Sequence, residues 1–181
     1  MPLGDFESEV LRLLAAQRSP DSYVGGATVL HQRADSPRAS EDIDLFHDEE
    51  AAVHAAAEAD RAALERAGYQ VEVTRPQEGF VRAFIARGGE RTKIEWVRDS
   101  AFRFFPVEPD LQLGWRLNFW DAATNKLLAF AGRMKIRDYL DVMYLHERHL
   151  HVGALAWAAA GKDPGMNAEW IIDWGGRQAR L

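Results

Sequence analysis

Tyr23-Val-Gly-Gly-Ala-Thr-Val-Leu-His-Gln-Arg-Ala-Asp-Ser-Pro-Arg-Ala-Ser-Glu-Asp-Ile-Asp-Leu-Phe46 contains a glycine pair, a short helical pattern, a polar loop and an apolar strand that opens on two aspartates. Side chains alternate along a strand, so Asp42 and Asp44 project from one face. Two carboxylates held so close repel each other. A divalent cation is the usual remedy, and magnesium takes one or two carboxylates together with substrate phosphates. Gly25 and Gly26 let backbone N–H groups approach an anion closely. A phosphate cradle beside metal-binding carboxylates suits the transfer of a nucleotide, which depends mainly on positioning and charge neutralisation.

Outward from this stretch, apolar spacing predicts an amphipathic helix over Phe6 to Gln17, ended by Arg18-Ser-Pro-Asp-Ser. Tyr23-Val24 is a short strand, Thr28 to Arg33 a helix, Ala34 to Glu41 a polar loop, and Ile43 to Phe46 a buried strand. Glu49 to Ala67 is an alanine-rich helix with Gly68 past its end. Strands follow over Tyr69 to Thr74, Phe80 to Ala86 and Thr92 to Val97, with Gly88-Gly89 as the turn between the last two. Ala101 to Trp115 reads as irregular and aromatic. Ala122 to Ala131, Ile136 to His146 and Asn167 toward Trp174 read as helices. The expected fold is α+β: a mixed β-sheet flanked by helices, with a helical C-terminal part. The expected division is a core over residues 1–115 and a helical part over 116–181, forming one compact unit.

The 181 residues suffice for a buried core, with 47% hydrophobic and 10% aromatic residues. No apolar run is long enough to span a membrane, and the N-terminus lacks the charge and apolar core of a signal peptide. With no cysteine, disulfides and thiolate metal sites are excluded, and a cytoplasmic location is expected. The net charge of −6 argues against coating nucleic acid broadly, though not against a local basic patch. Arg82, Arg87, Arg91, Lys93, Arg98 and Arg103 make the middle strands locally basic. On the strand over Thr92 to Val97, Lys93, Glu95 and Val97 share one face, and Ile94 and Trp96 the other. Glu95 is either a functional third carboxylate or half of a Lys93–Glu95 surface pair. His146, His149 and His151 are spaced irregularly and read as a solvated face rather than a metal site. Nothing fixes a role for His31 or His47. Trp115, Trp120, Trp157, Trp170 and Trp174 read as core anchors.

Two ordered motifs carry a resemblance. Gly25-Gly26, with Arg38-x-Ser40-x-Asp42-Ile43-Asp44, is similar to the signature of the DNA polymerase β-like nucleotidyltransferase superfamily. It most resembles the AbiEii/AbiGii toxin-like family. Asn125-Lys126-Leu-Leu-Ala, Arg133 and Arg137-Asp138-Tyr139-Leu140-Asp141 resemble that family's second motif. The resemblance implies that Asp42, Asp44 and Glu95 hold Mg2+ or Mn2+, with Glu95 in the place of the usual aspartate. It implies triphosphate binding by Gly25, Gly26, Arg38 and Ser40; the alternative for Ser40 is capping the turn before the strand. Lys126 borders an apolar helix face, where lysines usually snorkel to water, but the resemblance implies a phosphate contact. Asp138 is either paired with Arg137 or an active-site acid, the role the resemblance favours, and Asp141 orients Arg133 or Arg137. The implied activity is NMP transfer from an NTP to an acceptor hydroxyl, such as a tRNA 3′ end, by the toxin of a toxin–antitoxin pair with a cognate antitoxin. Transfer to a protein or small molecule, and a non-catalytic NTP- or partner-binding module, remain open. Gly26 where the superfamily often has Ser, and Glu95 where Asp is usual, are the features that favour the binding module.

Overall fold

The computed structural model describes residues 3–32, 36, 38–40, 42–100, 102–133 and 135–178. Arg33, Ala34, Asp35, Pro37 and Glu41, which belong to the expected helix end and polar loop, lie outside them. The chain divides into two compact units: residues 1–101 with 105–118, and residues 102–104 with 119–181.

The first unit is built on a seven-stranded mixed sheet. Its strands are β1 (Ser22–Val24), β2 (Asp42–His47), β3 (Gln70–Val73), β4 (Phe80–Arg87), β5 (Glu90–Arg98), β6 (Glu108–Asp110) and β7 (Gly114–Arg116), in the order β3-β4-β5-β2-β1-β7-β6. β2 runs parallel to β5, and β1 parallel to β7; the other neighbours are antiparallel. β6 and β7 fall in the stretch that reads as irregular. Each spans only three residues, and Pro109 and Gly114 obscure any strand pattern there.

Strict alternation on β2, β4 and β5 gives the sheet two unlike faces. Ile43, Leu45, Val81, Ala83, Ile85, Ile94 and Trp96 are buried on one. Against this face pack α1 (Asp5–Leu14), through Phe6, Val10, Leu11 and Leu14, and α3 (Glu50–Arg66), through Val53, Ala57 and Leu64. These spacings place the apolar side chains of each helix in one stripe. Burying a Leu or Phe stabilises the fold by about 1.5–3 kcal/mol. The fourth inward residue of α3 is Asp60, which accepts two hydrogen bonds from Arg18, at 2.6 and 2.7 Å, and one from the indole of Trp96 at 2.7 Å. Burial pushes the Asp60 carboxyl up and the Arg18 guanidinium down, and each charge opposes the other's shift. Trp96, completely buried, is thus the tryptophan that anchors this core. Trp120, Trp157 and Trp170, read from sequence as core anchors, are substantially exposed, Trp157 to 76%.

The second unit is helical: α4 (Phe119–Arg133), α5 (Ile136–Arg148), α6 (Val152–Lys162) and α7 (Ala168–Gln178). α4 packs on the other three, and Ala122, Ala123, Ala131, Ala156 and Ala159 are buried between them. α6 was not expected from sequence. It is almost wholly apolar, so it shows no amphipathic period. Of the three histidines read as a solvated face, His151 is exposed and His146 and His149 are partly withdrawn from solvent, and all three make contacts around the junction between α5 and α6. His146 Nδ1 accepts from the Val152 N–H, His151 Nδ1 caps α6 through the Gly153 N–H, and the His149 ring packs against Phe119 and Tyr144. No helix among the described residues is long and apolar enough to cross a membrane.

Candidate functional site

The face of the sheet opposite α1 and α3 carries the charged residues. β2 and β5 run parallel in register, with Asp42 beside Lys93 and Asp44 beside Glu95, and the antiparallel pairing of β4 sets Arg82 next to Glu95. Residues aligned across neighbouring strands share a face, so Asp42, Asp44, Lys93, Glu95 and Arg82 come together, as the alternation within each strand requires.

Gly25 and Gly26 lie directly on this pair of strands. The Gly25 N–H donates to the Asp44 carbonyl at 3.0 Å and so extends the β1–β2 ladder by one step. A Cβ on Gly25 would lie 2.5 Å from the Phe46 ring, and one on Gly26 would collide with the Asp44 carboxylate. Gly26 also has φ +62°, a conformation that other residues adopt only with strain. It opens the five-residue helix α2 (Gly26–Leu30), two residues earlier than the sequence pattern suggests. The glycines thus serve close approach: the chain turns from strand to helix against the Asp44 side chain.

The loop before β2 is tied down by hydroxyls. Ser40 is buried and donates to the Asp42 carbonyl at 2.9 Å; Thr28 on α2 donates to Ser40 at 3.3 Å. This is the capping arrangement, one of the two roles read for Ser40. Arg38 is half-buried, and one of its N–H groups donates to the Ala39 carbonyl.

Lys93 is the cation at the centre of the cluster. Its ammonium lies 3.0 Å from Asp42 and 2.9 Å from Glu95. Arg82 donates to the same Glu95 oxygen at 2.7 Å. The side chains of Asp42, Lys93 and Glu95 are 22%, 20% and 15% exposed, so the cluster is partly withdrawn from water yet reachable. Among the described residues, no three carboxylate or imidazole groups converge as a metal site. Asp42 and Glu95 converge on the ammonium instead. The donor set itself, carboxylate oxygens on one sheet face beside a glycine turn, is of the hard type that Mg2+ or Mn2+ prefers. Asp42 and Asp44, with Glu95 beside them, are the residues that would hold such an ion, once the Lys93 ammonium gives up Asp42 and Glu95. His47, on the same strand but of opposite parity, is buried on the helix-covered face. Burial and the nearby Arg18 charge push it down to about 4.

The second motif forms its own cluster in the helical unit. Lys126 on α4 is buried, its ammonium 3.0 Å from both Asp138 and Asp141 of α5. Arg133 grips Asp138 with two hydrogen bonds, of 2.7 and 3.0 Å, and keeps nearly half of its side chain exposed. Burial alone would push the Asp138 carboxyl up; the hydrogen bond from Arg133 and the Lys126 charge outweigh it and hold the group below its usual range. The lysine therefore does not snorkel, and Asp138 is paired with Arg133 and Lys126. The sequence signal for this was available in the i, i+3 spacing of Asp138 and Asp141 on an otherwise apolar face. The bridging role of Lys93 was not legible, because alternation gives a side chain's face but not its reach across strands.

Solved structures of similar shape include JHP933 from Helicobacter pylori, 18% identical, covering 87% of this chain and 75% of that one, with a TM-score of 0.59. Another from the same organism is described as a candidate nucleotidyltransferase; it is 16% identical, covers 93% and 79% of the two chains, and has a TM-score of 0.59. At these identities the likeness establishes the fold. No curated protein matches the sequence. The model of the family described as nucleotidyl transferase AbiEii toxin, of the type IV toxin–antitoxin system, matches residues 11–167, a span that takes in the glycine turn, the Asp42–Asp44 strand and the Lys126–Asp138 cluster. By that match over most of its length, the chain belongs to the AbiEii nucleotidyltransferase toxin family.

Proposed function

We propose that the protein transfers an NMP from an NTP to an acceptor hydroxyl, an RNA 3′ end such as that of tRNA, and releases pyrophosphate. The observation that carries this reading is that Asp42 and Asp44 share an accessible sheet face, with Asp44 in register with Glu95 and against the Gly26 turn. Membership of the family supports the reaction class. In the reaction the acceptor oxygen bonds to the α-phosphorus, and the bond from that phosphorus to the oxygen bridging to the β-phosphate breaks. The hydroxyl proton passes to a carboxylate of the cluster, in this reading Glu95. Mg2+ or Mn2+ held by Asp42 and Asp44, with Glu95 as third ligand, would neutralise charge on the phosphates. Gly26 and Arg38 serve the triphosphate, with Ser40 fixing the turn between them. Lys126 and Asp138, which the family resemblance assigns to phosphate and to an active-site acid, are held together with Arg133 in the helical unit's own cluster. As a type IV family member the protein would act as a toxin whose effect a cognate antitoxin counters.

The neutralising of Asp42 and Glu95 by Lys93 and Arg82 favours a second reading, a nucleotide-binding module that transfers nothing. A single assay separates the two. Purified protein is incubated with each α-labelled NTP, Mg2+ or Mn2+, and total tRNA, with Asp42→Ala as control. Label on tRNA that the variant fails to give supports the transferase. Label on protein keeps the reaction and changes the acceptor. Bound NTP without pyrophosphate release supports the binding module.

A further inference from the structure

Lys93 stands where a cation should be. Its ammonium is within 3.0 Å of two carboxylates that the functional reading assigns to a divalent ion. It reaches them from β5, the strand that also supplies Glu95, and it sits beside Asp42 across the parallel pair. We propose that Lys93 is a built-in placeholder for the metal: it holds Asp42 and Glu95 together in the metal-free protein, and must swing away for the divalent ion to bind.

The inference rests on the reading of Asp42 and Asp44 as metal ligands. A cation between two carboxylates satisfies the repulsion that the sheet register creates, which lets the free protein keep the cluster assembled. The same cation repels an incoming divalent ion and occupies the oxygens that it needs. Metal affinity in the absence of nucleotide is thereby lowered. A displaced Lys93 has a natural destination, because an NTP brings a triphosphate to the same face and an ammonium is a good point-charge partner for phosphate. Metal and nucleotide then assist each other's binding, and by linkage the assistance is equal in both directions. Arg82 stays on Glu95 when Lys93 leaves, so the strand pair keeps one of its two cations.

The test is Mn2+ binding to the whole chain, followed by electron paramagnetic resonance of free Mn2+, with and without a non-hydrolysable NTP. In the wild type the nucleotide should tighten Mn2+ binding. Lys93→Met should tighten nucleotide-free binding by about tenfold or more, in line with the effect of a neighbouring like charge, and should shrink the gain that nucleotide brings. Lys93→Arg, which keeps the charge, should remain weak. Wild-type affinity in a folded Lys93→Met protein overturns the proposal. A measurement that needs no variant guards against misfolding: Mg2+ is titrated into wild-type protein and the Lys93 Cε–Nζ signals are followed by NMR. Signals that move with the metal-binding isotherm support displacement, and signals that stay fixed while metal binds refute it. Asp42→Asn separates this inference from the reading beneath it. If Mn2+ binds the wild type and Asp42→Asn equally, the metal site is elsewhere, and the placeholder falls with it. If Asp42→Asn loses Mn2+ and Lys93→Met changes nothing, only the placeholder falls.

Discussion

Asp42 and Asp44 owe their shared direction to the pleat of β2, and Gly26 owes its place to the room that Asp44 needs. The first was legible in the sequence because it depends on residues two apart on one strand; the second was not, because Gly26 meets Asp44 across eighteen residues of chain. Asp42→Ala should lower nucleotide transfer on the order of a thousandfold, by analogy with the loss of other groups that stabilise developing charge, and its melting temperature should stay close to that of the wild type; label transfer and a thermal melt read the two effects. Gly26→Ala should do both kinds of damage. The φ of +62° would cost about 1–2 kcal/mol in a residue with a Cβ, and the added carbon would push the Asp44 carboxylate aside. Urea unfolding of this variant at wild-type stability would mean that the turn rearranges freely. What the residue scale hid was pairing across strands. Lys93, Glu95 and Val97 could be placed on one face from sequence, but that Lys93 reaches Asp42 depends on a parallel register between segments about fifty residues apart, and that Arg82 reaches Glu95 on the antiparallel register of β4 with β5.

At the scale of elements, the longer periodic segments α1, α3, β4 and β5 were readable, and the short or wholly apolar ones, β6, β7 and α6, were not. A three-residue strand carries too little alternation to register, and a helix apolar all round has no face to detect. The α4–α5 pair holds the sharpest difference between a residue's pattern and its surroundings. Lys126 looked like a lysine that reaches water or phosphate, but its ammonium is enclosed by Asp138 and Asp141. Removing one partner of a buried ion cluster leaves charges uncompensated. Lys126→Met should therefore destabilise the helical unit by about 3–5 kcal/mol, read by urea unfolding followed through a fluorescent tryptophan of that unit. A variant with wild-type stability and lost transfer would instead make the ammonium a phosphate ligand. The Arg133–Asp138 link adds an acid dependence. Because the Asp138 carboxyl is held below its usual range, its contribution is present above that range and fades as pH falls through the lowered value.

For the whole molecule, α+β architecture followed from the order of elements along the chain, whereas the pairing of β1 with β7, and so the far edge of the sheet, did not. The helix-covered face also holds a group that sequence could not rank. His47 shares β2 with the two aspartates, but opposite parity buries it near Arg18, and it titrates at about 4 instead of near 6.5. The folded protein prefers the neutral ring, so this contribution is complete above pH 6.5 and is lost as pH falls from there toward 4. The loss should be on the order of 2–3 kcal/mol of unfolding free energy. Denaturant melts across that window should show it, and His47→Gln should flatten the curve. If both proteins lose stability in parallel, the ring is not buried neutral.

The β1–β7 pairing has a consequence in time rather than in space. Val24 finds its parallel partner Arg116 about ninety residues later, and contacts of such separation close slowly. A nascent chain that has emerged only as far as β2 carries its aspartates with neither β5 nor β7 beside the strands that bear and flank them. Synthesis must run past Arg98 before the carboxylates gain their charged neighbours, and past Arg116 before β1 is paired on both sides. The charged face of the sheet and the strand that flanks it are therefore assembled in sequence, β5 first and β7 after it.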